Sequence, residues 1–311
     1  MSSRPSGPST LSLLGRRITE AATCELLLLV NFPTWAPVLP FYLLSYIADN
    51  PIPPFRSIGA MVRRIRGAIF RSFGLRLLAT WPFGGLRFYC DLDGVWLIAS
   101  EFLKGETSGF VSSREEVFLD VGAHYGLVSA RLASLHPRSS RVIAIEAHPA
   151  NYRVLKSNIE LNHLTNVKAF NFAIADFTGT THMSAHDGVS THYKLTNENR
   201  STDPLFEVQC YQLPEVVAKL GIDHVDLVKL DIEGLELKVL QTCFPAMASS
   251  VGKLDVEVHY FGDVAAIRSL LISNGFDVHV KSWGILSRSY RVIAEKAPTV
   301  AKATESPQID F

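Results

Sequence analysis

Short apolar runs separated by helix-like patterns dominate the chain beyond residue 115. Six of these runs have the length of strands: residues 117–121, 141–146, 167–172, 225–230, 254–259 and 276–280. The segments between them place apolar residues at helical spacing, and the one that begins at Pro149 carries Tyr152, Leu155 and Ile159 on a single face. Alternation of this kind predicts an α/β fold, with a mostly parallel twisted sheet and helices on both faces.

Further apolar runs indicate antiparallel pairing at the margins of this sheet. Residues 86–90 and 95–99 flank a polar turn at residues 91–94, which predicts a hairpin leading into the domain. Residues 206–211 and 289–294 are also strand-like, and we expect both to pair antiparallel, the second at the end of the sheet. The domain then spans residues 85–295, followed by a loose tail at residues 296–311.

The first 84 residues have a different character. Residues 26–47 contain no charged side chain and are about long enough to cross a bilayer, but three prolines interrupt them. Arginines then alternate with apolar residues as far as Leu78, a pattern that suits an anionic membrane surface. We therefore expect a helical segment that binds a membrane surface through residues 26–80. The alternative is a set of helices that cover one end of the domain.

Charge and cysteine content narrow the class of protein. The formal net charge is 0, yet the residues before Asp91 include ten arginines, no lysine and three acidic residues, so a basic front end precedes an acidic body. Hydrophobic residues make up 47% of the chain, enough for a large buried core. Four cysteines without a CxxC motif indicate neither a zinc cluster nor a disulfide framework. We expect a cytoplasmic protein, at the cytoplasmic face of a membrane if the front end binds one.

The first strand of the domain leads into a turn that contains two glycines. The residues are Asp120-Val-Gly-Ala-His-Tyr-Gly126, and a helical pattern follows at residues 127–135. Ligands of open α/β sheets bind at the carboxyl ends of strands, where such a turn presents free backbone amides. Gly122 lets a ligand approach the backbone, and the Asp120 carboxylate suits the ammonium end of a methionine moiety better than a pyrophosphate.

The next strand ends at Glu146, whose carboxylate can accept hydrogen bonds from two ribose hydroxyls. Together with the glycine turn, this favours an adenosine-containing cofactor over a purely structural turn. The glycines follow a GxxxG pattern rather than the GxGxxG of dinucleotide sites, which leaves NAD as the second choice.

These residues resemble the FkbM family of S-adenosylmethionine-dependent methyltransferases. The matching segments are residues 120–126 (DVGAHYG), 143–149 (IAIEAHP) with Leu155 and Asn158, 173–176 (AIAD) with Gly179, 228–236 (VKLDIEGLE) and 257–259 (EVH). The resemblance covers roughly residues 117–294 and implies a class I methyltransferase fold, S-adenosyl-L-methionine as cofactor and O-methylation of sugars or other acceptors.

The resemblance also assigns roles within the cofactor pocket. It implies that Asp120, Gly122 and Gly126 line the methionine and ribose, that Glu146 binds the ribose hydroxyls and that Asp176 lies near the adenine. The expected cofactor-binding residues are therefore Asp120, Gly122, His124, Gly126, Glu146, Asp176 and Asp231.

Methylation of a hydroxyl needs a group that accepts its proton. The expected catalytic residues are Asp231 and Glu233 at the end of the fourth major strand, and Glu257 and His259 at the end of the fifth. Glu257 and His259 are the preferred acid/base pair, although His259 can instead be a satisfied core histidine. Asp231 can pair with Lys229, which lies on the same side of the strand. The same carboxylates and His259 could hold a divalent cation, but no ligand spacing requires one, so we expect no metal.

The polar run at residues 182–203 is either a lid over the acceptor or a surface excursion. The function that we expect is O-methylation of a glycan, lipid-linked or small-molecule hydroxyl, with no nucleic acid as partner. A cofactor-binding scaffold without catalysis and an NAD-dependent oxidoreductase are the alternatives. The missing GxGxxG pattern disfavours the oxidoreductase.

Overall fold

The computed structural model describes residues 77–80, 85–90, 116–135, 140–185, 193–196, 205–282 and 290–296. The strands in chain order are β1 Leu77–Thr80, β2 Arg87–Cys90, β3 Glu116–Val121, β4 Ser140–Ile145, β5 Val167–Phe170, β6 Ala173–Ile174, β7 Gly179–Ala185, β8 Tyr193–Thr196, β9 Leu205–Tyr211, β10 Val225–Leu230, β11 Val251–Val258, β12 Phe276–Ser282 and β13 Tyr290–Lys296. The helices are α1 Leu127–Leu135, α2 Pro149–Leu161, α3 Leu213–Lys219, α4 Glu236–Met247 and α5 Phe261–Ser273, and a 3-10 turn occupies Ala248–Ser250.

A seven-stranded sheet forms the centre of the domain. Its order is β12-β13-β11-β10-β3-β4-β5, and every strand except β13 runs in the same direction. This confirms the α/β class and the antiparallel C-terminal strand. The predicted position of that strand was wrong, because β13 lies between β11 and β12 instead of at the end of the sheet. Val292 and Ala294 are 0% exposed, so the strand is apolar enough for a place inside the sheet.

Helices cover both faces of the sheet, as predicted, because successive side chains of each strand point to opposite sides. Phe118, Val142 and Ala144 belong to one buried cluster, which they share with residues of α1 and α2 such as Leu132 and Leu155. Leu119, Val121, Ile143 and Ile145 belong to the second cluster, together with residues of α3, α4 and α5. The carboxyl ends of the parallel strands therefore lie along one edge of the sheet, between two packed layers.

A short antiparallel pair precedes the domain. Leu77–Thr80 pairs with Arg87–Cys90, so Leu77 and Leu78 lie in a strand and not in the helical segment that the sequence predicted. The predicted hairpin partner at residues 95–99, and residues 1–76 with their apolar and basic runs, lie outside the described residues. Among the residues that are described, no helix is long and apolar enough to span a membrane.

A separate four-stranded sheet in the order β6-β9-β7-β8 follows β5. The strand predicted at residues 206–211 is β9, which pairs antiparallel with β7 and parallel with β6. The polar run predicted as a loop or lid is partly a hairpin, since its residues 182–185 and 193–196 pair as β7 and β8. Hydrogen bonds between the two strands satisfy the backbone polar groups there. The polar side chains of this run do not indicate such pairing.

Candidate functional site

The glycine turn between β3 and α1 is held by backbone contacts to two neighbouring strands. Gly122 and Ala123 donate hydrogen bonds to the Ile145 carbonyl at 2.9 and 3.0 Å. Gly122 has φ +83, and a Cβ built on it would lie 1.8 Å from the carbonyl oxygen of Asp231. Glycine is therefore required here because the end of β10 packs against the turn. The sequence interpretation had explained Gly122 by the approach of a ligand and did not anticipate this contact.

The second glycine and the residue between the two complete the turn. Gly126 also has φ +83, and a Cβ there would lie 2.4 Å from the Leu155 side chain of α2. His124 adopts φ 50, a left-handed conformation that is costly for a residue with a side chain. Its backbone N–H consequently turns toward the end of β4, where it donates to Glu146 Oε2 at 2.8 Å.

Glu146 lies directly after β4 and is 7% exposed. Its Oε1 accepts the backbone N–H of His148 at 2.9 Å and lies 3.5 Å from the Asn151 side-chain nitrogen. Burial raises the pKa of Glu146 to about 7, although the hydrogen bonds from His148, His124 and Asn151 act in the opposite direction. Backbone amides thus orient the carboxylate. Hydroxyl groups that donate further hydrogen bonds to it would stabilise its ionised form and lower its pKa.

Asp120, at the end of β3, lies beneath the turn. Its side chain is 0% exposed, Ser129 of α1 donates to its Oδ2 at 2.6 Å, and Lys229 Nζ lies 3.8 Å from its Oδ1. The Asp120 charge also contributes to the raised pKa of Glu146, after the larger effect of burial. This arrangement positions the turn and Lys229, while direct contact of Asp120 with a ligand stays a prediction.

Lys229 connects the ends of β3 and β10. Its Nζ lies 3.2 Å from Asp231 Oδ2, so the ion pair considered from the sequence is present, and Asp120 extends it. The Lys229 side chain is 9% exposed and that of Asp231 is 25% exposed. Asp231 therefore has one carboxylate oxygen on the buried Lys229 ammonium, and its second oxygen, Oδ1, lies 3.7 Å from His259 Nε2.

The second oxygen of Asp231 faces a group of three further side chains from the loops after β10 and β11. His259 Nε2 lies 3.7 Å from Asp231 Oδ1 and 3.5 Å from Glu233 Oε2, and its Nδ1 lies 3.0 Å from Glu236 Oε1. We call Asp231, Glu233, Glu236 and His259 the acid–imidazole cluster. The structure thus brings together three of the four predicted catalytic residues.

Glu236 is the member of the acid–imidazole cluster whose role the sequence did not reveal. It is 1% exposed and begins α4, where its Oε1 accepts the backbone N–H groups of Ile232 at 3.1 Å and Gly234 at 3.0 Å. A carboxylate in the first turn of a helix is a recognisable signal for capping. Its hydrogen bond to His259, 23 residues away, depends on the packing of α4 beside β11.

Electrostatics in the cluster favour positive charge on the imidazole. Burial by itself lowers the pKa of His259, but the hydrogen bond to Glu236 and the charges of Asp231, Glu236 and Glu233 outweigh it and raise the pKa to about 9. Burial, together with the neighbouring carboxylates, raises the pKa of Glu233 to about 8. The cluster therefore concentrates more negative charge than a single imidazolium neutralises.

Glu257 and Asp255 precede His259 on the same face of β11. Glu257 is half-buried, and its charge is among those that raise the pKa of Glu233. Asp255 and Arg291 of β13 form a buried two-pronged ion pair, with Arg291 Nε donating to Asp255 Oδ1 at 2.6 Å. Glu257 thus lies between a structural ion pair and the cluster, and its role as a base stays a prediction.

Asp176 and His148 lie on the β5 side of the turn. The backbone carbonyl of Asp176 accepts a hydrogen bond from the Gln212 side chain at 2.8 Å, in the segment between β6 and β7. His148 is 3% exposed and packs edge-on against Phe206, so it is a buried residue rather than a surface one. Its ring forms no capping hydrogen bond to α2. Contact of Asp176 with an adenine stays a prediction.

Comparison with known proteins gives a family match over the described site. The profile of the Methyltransferase FkbM domain matches residues 120–278, which is 159 of the 311 residues. AMB antimetabolite synthetase AmbE of Pseudomonas aeruginosa is 26% identical over 224 residues, which cover 59% of this chain and 10% of that protein. Methyltransferase sdnD of Sordaria araneosa is 26% identical over 190 residues, covering 51% of this chain and 73% of that one.

Among solved structures, Methyltransferase FkbM from Methylobacillus flagellatus KT is 14% identical, with a TM-score of 0.44, and the match covers 75% of this chain and 59% of that one. Of the two relatives matched by sequence, the chain spans about a tenth of the length of AmbE and about three quarters of the length of sdnD. All the catalytic positions predicted from the sequence fall inside the matched residues 120–278.

Proposed function

The chain belongs to the FkbM family of methyltransferases, and on this premise we propose that it transfers the methyl group of S-adenosyl-L-methionine to a hydroxyl group. The acceptor that we propose is a glycan, lipid-linked or small-molecule hydroxyl compound. One observation carries the proposal. The neighbouring strands in the sheet are β4, β3, β10 and β11, and Glu146, the glycine turn and the acid–imidazole cluster all lie at their carboxyl ends, along one edge of the sheet. Ligands of open α/β sheets bind at this edge.

The residues on one side of the edge fit the cofactor. Glu146 is a buried carboxylate with a pKa raised to about 7, mainly by burial, and ribose hydroxyl donors would stabilise its ionised form. The turn from Gly122 to Gly126 would receive the methionine part, and Asp176 would lie toward the adenine. The cofactor supplies a methyl group bound to a positively charged sulfur, which is the group to be transferred.

The residues on the other side fit an acceptor that loses a proton. The chain must hold the hydroxyl in line with the methyl group and draw off its proton. The acid–imidazole cluster and Glu257 offer carboxylates for this task, and the imidazole of His259, whose pKa is raised to about 9, would orient them as a cation. The Asp231–Lys229–Asp120 contacts hold the cluster next to the glycine turn. A scaffold without catalysis would need no such group of largely buried ionisable side chains beside the glycine turn.

Methyl transfer from labelled S-adenosylmethionine to fractionated glycans, lipids and small hydroxyl compounds tests the proposal. We expect the variants Glu257→Gln and His259→Gln to bind S-adenosylhomocysteine normally and to transfer methyl groups about 10²- to 10⁴-fold more slowly if they remove the proton acceptor. Glu160→Gln, an exposed carboxylate on α2, is the matched control. Cofactor binding without turnover on any acceptor would favour the scaffold, and NAD binding in place of S-adenosylhomocysteine would favour the oxidoreductase.

We also propose that the basic, apolar front end brings the domain to a membrane surface through residues 26–80. The support is compositional: ten arginines and no lysine precede Asp91, among long apolar runs. Co-sedimentation with vesicles that contain anionic lipid tests this. Deleting residues 1–76, which keeps β1, should abolish sedimentation while the shortened chain stays folded. Loss of the folded state on deletion would instead support helices that pack on the domain.

A further inference from the structure

Three side chains of the acid–imidazole cluster direct atoms that can coordinate a metal ion toward a common point. Such atoms of Asp231, Glu233 and His259 all lie within 4.8 Å of one another. His259 Nε2 is 3.7 Å from Asp231 Oδ1 and 3.5 Å from Glu233 Oε2, which is longer than a good hydrogen bond. Two ligands bonded at about 2.1 Å to one ion are themselves about 3.0 to 3.4 Å apart. Small side-chain movements would therefore let all three atoms contact a single ion.

Glu236 gives His259 the orientation that metal-binding histidines require. Glu236 Oε1 already accepts the backbone N–H groups of Ile232 and Gly234, so it acts as an acceptor toward His259 Nδ1 as well. In the neutral ring, the proton then resides on Nδ1, and the lone pair of Nε2 points toward Asp231 and Glu233. A carboxylate behind a histidine in this way is the usual outer support of a metal ligand.

The charges around this point call for a cation. Glu236 is 1% exposed, and its Oε2 is buried without a hydrogen-bond partner among the described residues. Lys229 contacts Asp231 through Oδ2, and Oδ1 of Asp231 lies 3.7 Å from His259 Nε2. The carboxylates of Asp231, Glu233 and Glu236 thus all converge on the one imidazole of His259.

We infer that Asp231, Glu233 and His259 bind one divalent cation, with Glu236 as the positioning residue behind His259. Two carboxylate oxygens and one imidazole nitrogen suit ions such as Mn²⁺, Zn²⁺ or Mg²⁺, and the remaining coordination positions would be open to water or acceptor oxygens. The inference differs from the expectation from sequence, which left a metal out. It deepens the proposed function, because a cation at this place lowers the pKa of a bound hydroxyl.

Direct binding of Mn²⁺ tests the inference without reference to turnover. Calorimetry and electron paramagnetic resonance on the full chain, first freed of metal with a chelator, should give one saturable Mn²⁺ site. Glu233→Gln and Asp231→Asn should each weaken binding about tenfold or more, since each loses a charged ligand. Glu160→Gln removes the same charge from the surface of α2 and should bind Mn²⁺ like the natural chain.

Circular dichroism and thermal melting establish that each variant is folded, and Glu233→Gln serves if Asp231→Asn fails to fold, because Glu233 lies in a loop. The inference is overturned if the natural chain shows no saturable site for Mn²⁺, Zn²⁺ or Mg²⁺, or if Glu233→Gln binds as tightly as Glu160→Gln. S-adenosylhomocysteine binding in the presence of chelator tests the proposed function separately. Mn²⁺ binding without cofactor binding would remove only that function, and methyl transfer without a metal site would remove only the inference.

Discussion

Single residues at the carboxyl edge of the sheet adopt conformations that their immediate neighbours explain. Gly122 has φ +83 and faces the Asp231 carbonyl, which a Cβ would approach to 1.8 Å. The Asp231 N–H donates to the Val121 carbonyl at 3.0 Å, so the chains that leave β3 and β10 remain in contact beyond the sheet. The absence of a side chain at Gly122 thus sets the distance between the cofactor turn and the acid–imidazole cluster.

Gly122→Ala should therefore lower the free energy of unfolding by more than the cost of placing an alanine at a positive φ. Gly221 has φ +61 with nothing within 4 Å of the position that a Cβ would occupy, so Gly221→Ala measures the cost of the left-handed conformation, about 1 to 2 kcal/mol. We expect Gly122→Ala to cost about 1 to 3 kcal/mol more, because backbone must move to relieve the clash. Urea denaturation of both variants measures the difference, and equal losses would show that the contact is easily relaxed.

Glu146 makes cofactor affinity depend on pH. Its pKa is raised from the ordinary value to about 7, chiefly by burial. Ribose hydroxyls that donate to the ionised carboxylate lower that pKa in the complex, so binding releases a proton. Affinity for S-adenosylhomocysteine should consequently rise about tenfold per pH unit below 7 and level off above it.

Calorimetry between pH 5.5 and 8.5, about the range in which this group titrates, tests the dependence. Glu146→Gln should bind more weakly at pH 8 and lose most of the pH dependence, while Glu160→Gln should keep it. An affinity of the natural chain that does not change with pH would contradict the assignment of Glu146 to the ribose.

At the scale of elements, polar side chains hold individual strands in place. Asn158 of α2 accepts the Tyr89 N–H at 2.6 Å and donates to the Tyr89 and Tyr125 carbonyls at 3.1 and 2.8 Å. One side chain thus pairs with the backbone of β2 and with the glycine turn. On the other side of the sheet, the buried Asp255–Arg291 pair joins β11 to β13. These contacts position strands that the apolar pattern alone leaves ambiguous.

Breaking the Asp255–Arg291 pair should release β13. Both residues are buried, so Asp255→Ala removes the carboxylate that both prongs of the guanidinium contact and should cost about 3 to 5 kcal/mol. The double variant Asp255→Leu with Arg291→Met should recover most of this loss, because an apolar pair of similar size carries no charge to desolvate. Chemical denaturation gives the free energies of unfolding. If the single and double variants were equally unstable, the loss would come from packing rather than from an orphaned charge.

At the scale of the whole molecule, charged side chains link the glycine turn to the acid–imidazole cluster. Asp120 contacts Lys229, Lys229 contacts Asp231, and Asp231 faces His259, so the groups cross from β3 through β10 to β11. The sheet beneath supplies a rigid base, since Leu119, Val121, Leu230 and Val256 are 0% exposed. Both substrates of a methyl transfer would therefore bind to loops that share one fixed support.

Cofactor binding should stabilise the entire domain, because these loops belong to the native state alone. S-adenosylhomocysteine at 100 times its Kd should add about 2.7 kcal/mol to the free energy of unfolding. For a domain of this size the corresponding rise in Tm is about 5 to 10 °C. Differential scanning calorimetry measures the shift, which Glu146→Gln should reduce at equal ligand concentration. A natural chain whose Tm is insensitive to saturating ligand would exclude this pocket.

Local pattern determined the order and faces of the elements. Runs such as residues 142–145 are apolar on both faces, and strands buried between two helical layers need such side chains. The turn from Asp120 to Gly126 and the acid at Glu146 were also readable, because each lies directly at a strand end. The family resemblance rested on the same segments, and the profile match confirmed it.

Tertiary structure alone decided what those residues contact. Gly122 packs against Asp231, which is 109 positions later in the chain. His259 is hydrogen-bonded to Glu236, and β13 pairs with β11 inside the sheet. Periodicity reports which face of an element is buried but not which element lies opposite it. Long-range contacts between loops depend on strand order and loop path, so the sequence specified the chemical groups of the site, and only the folded sheet specified their distances and charges.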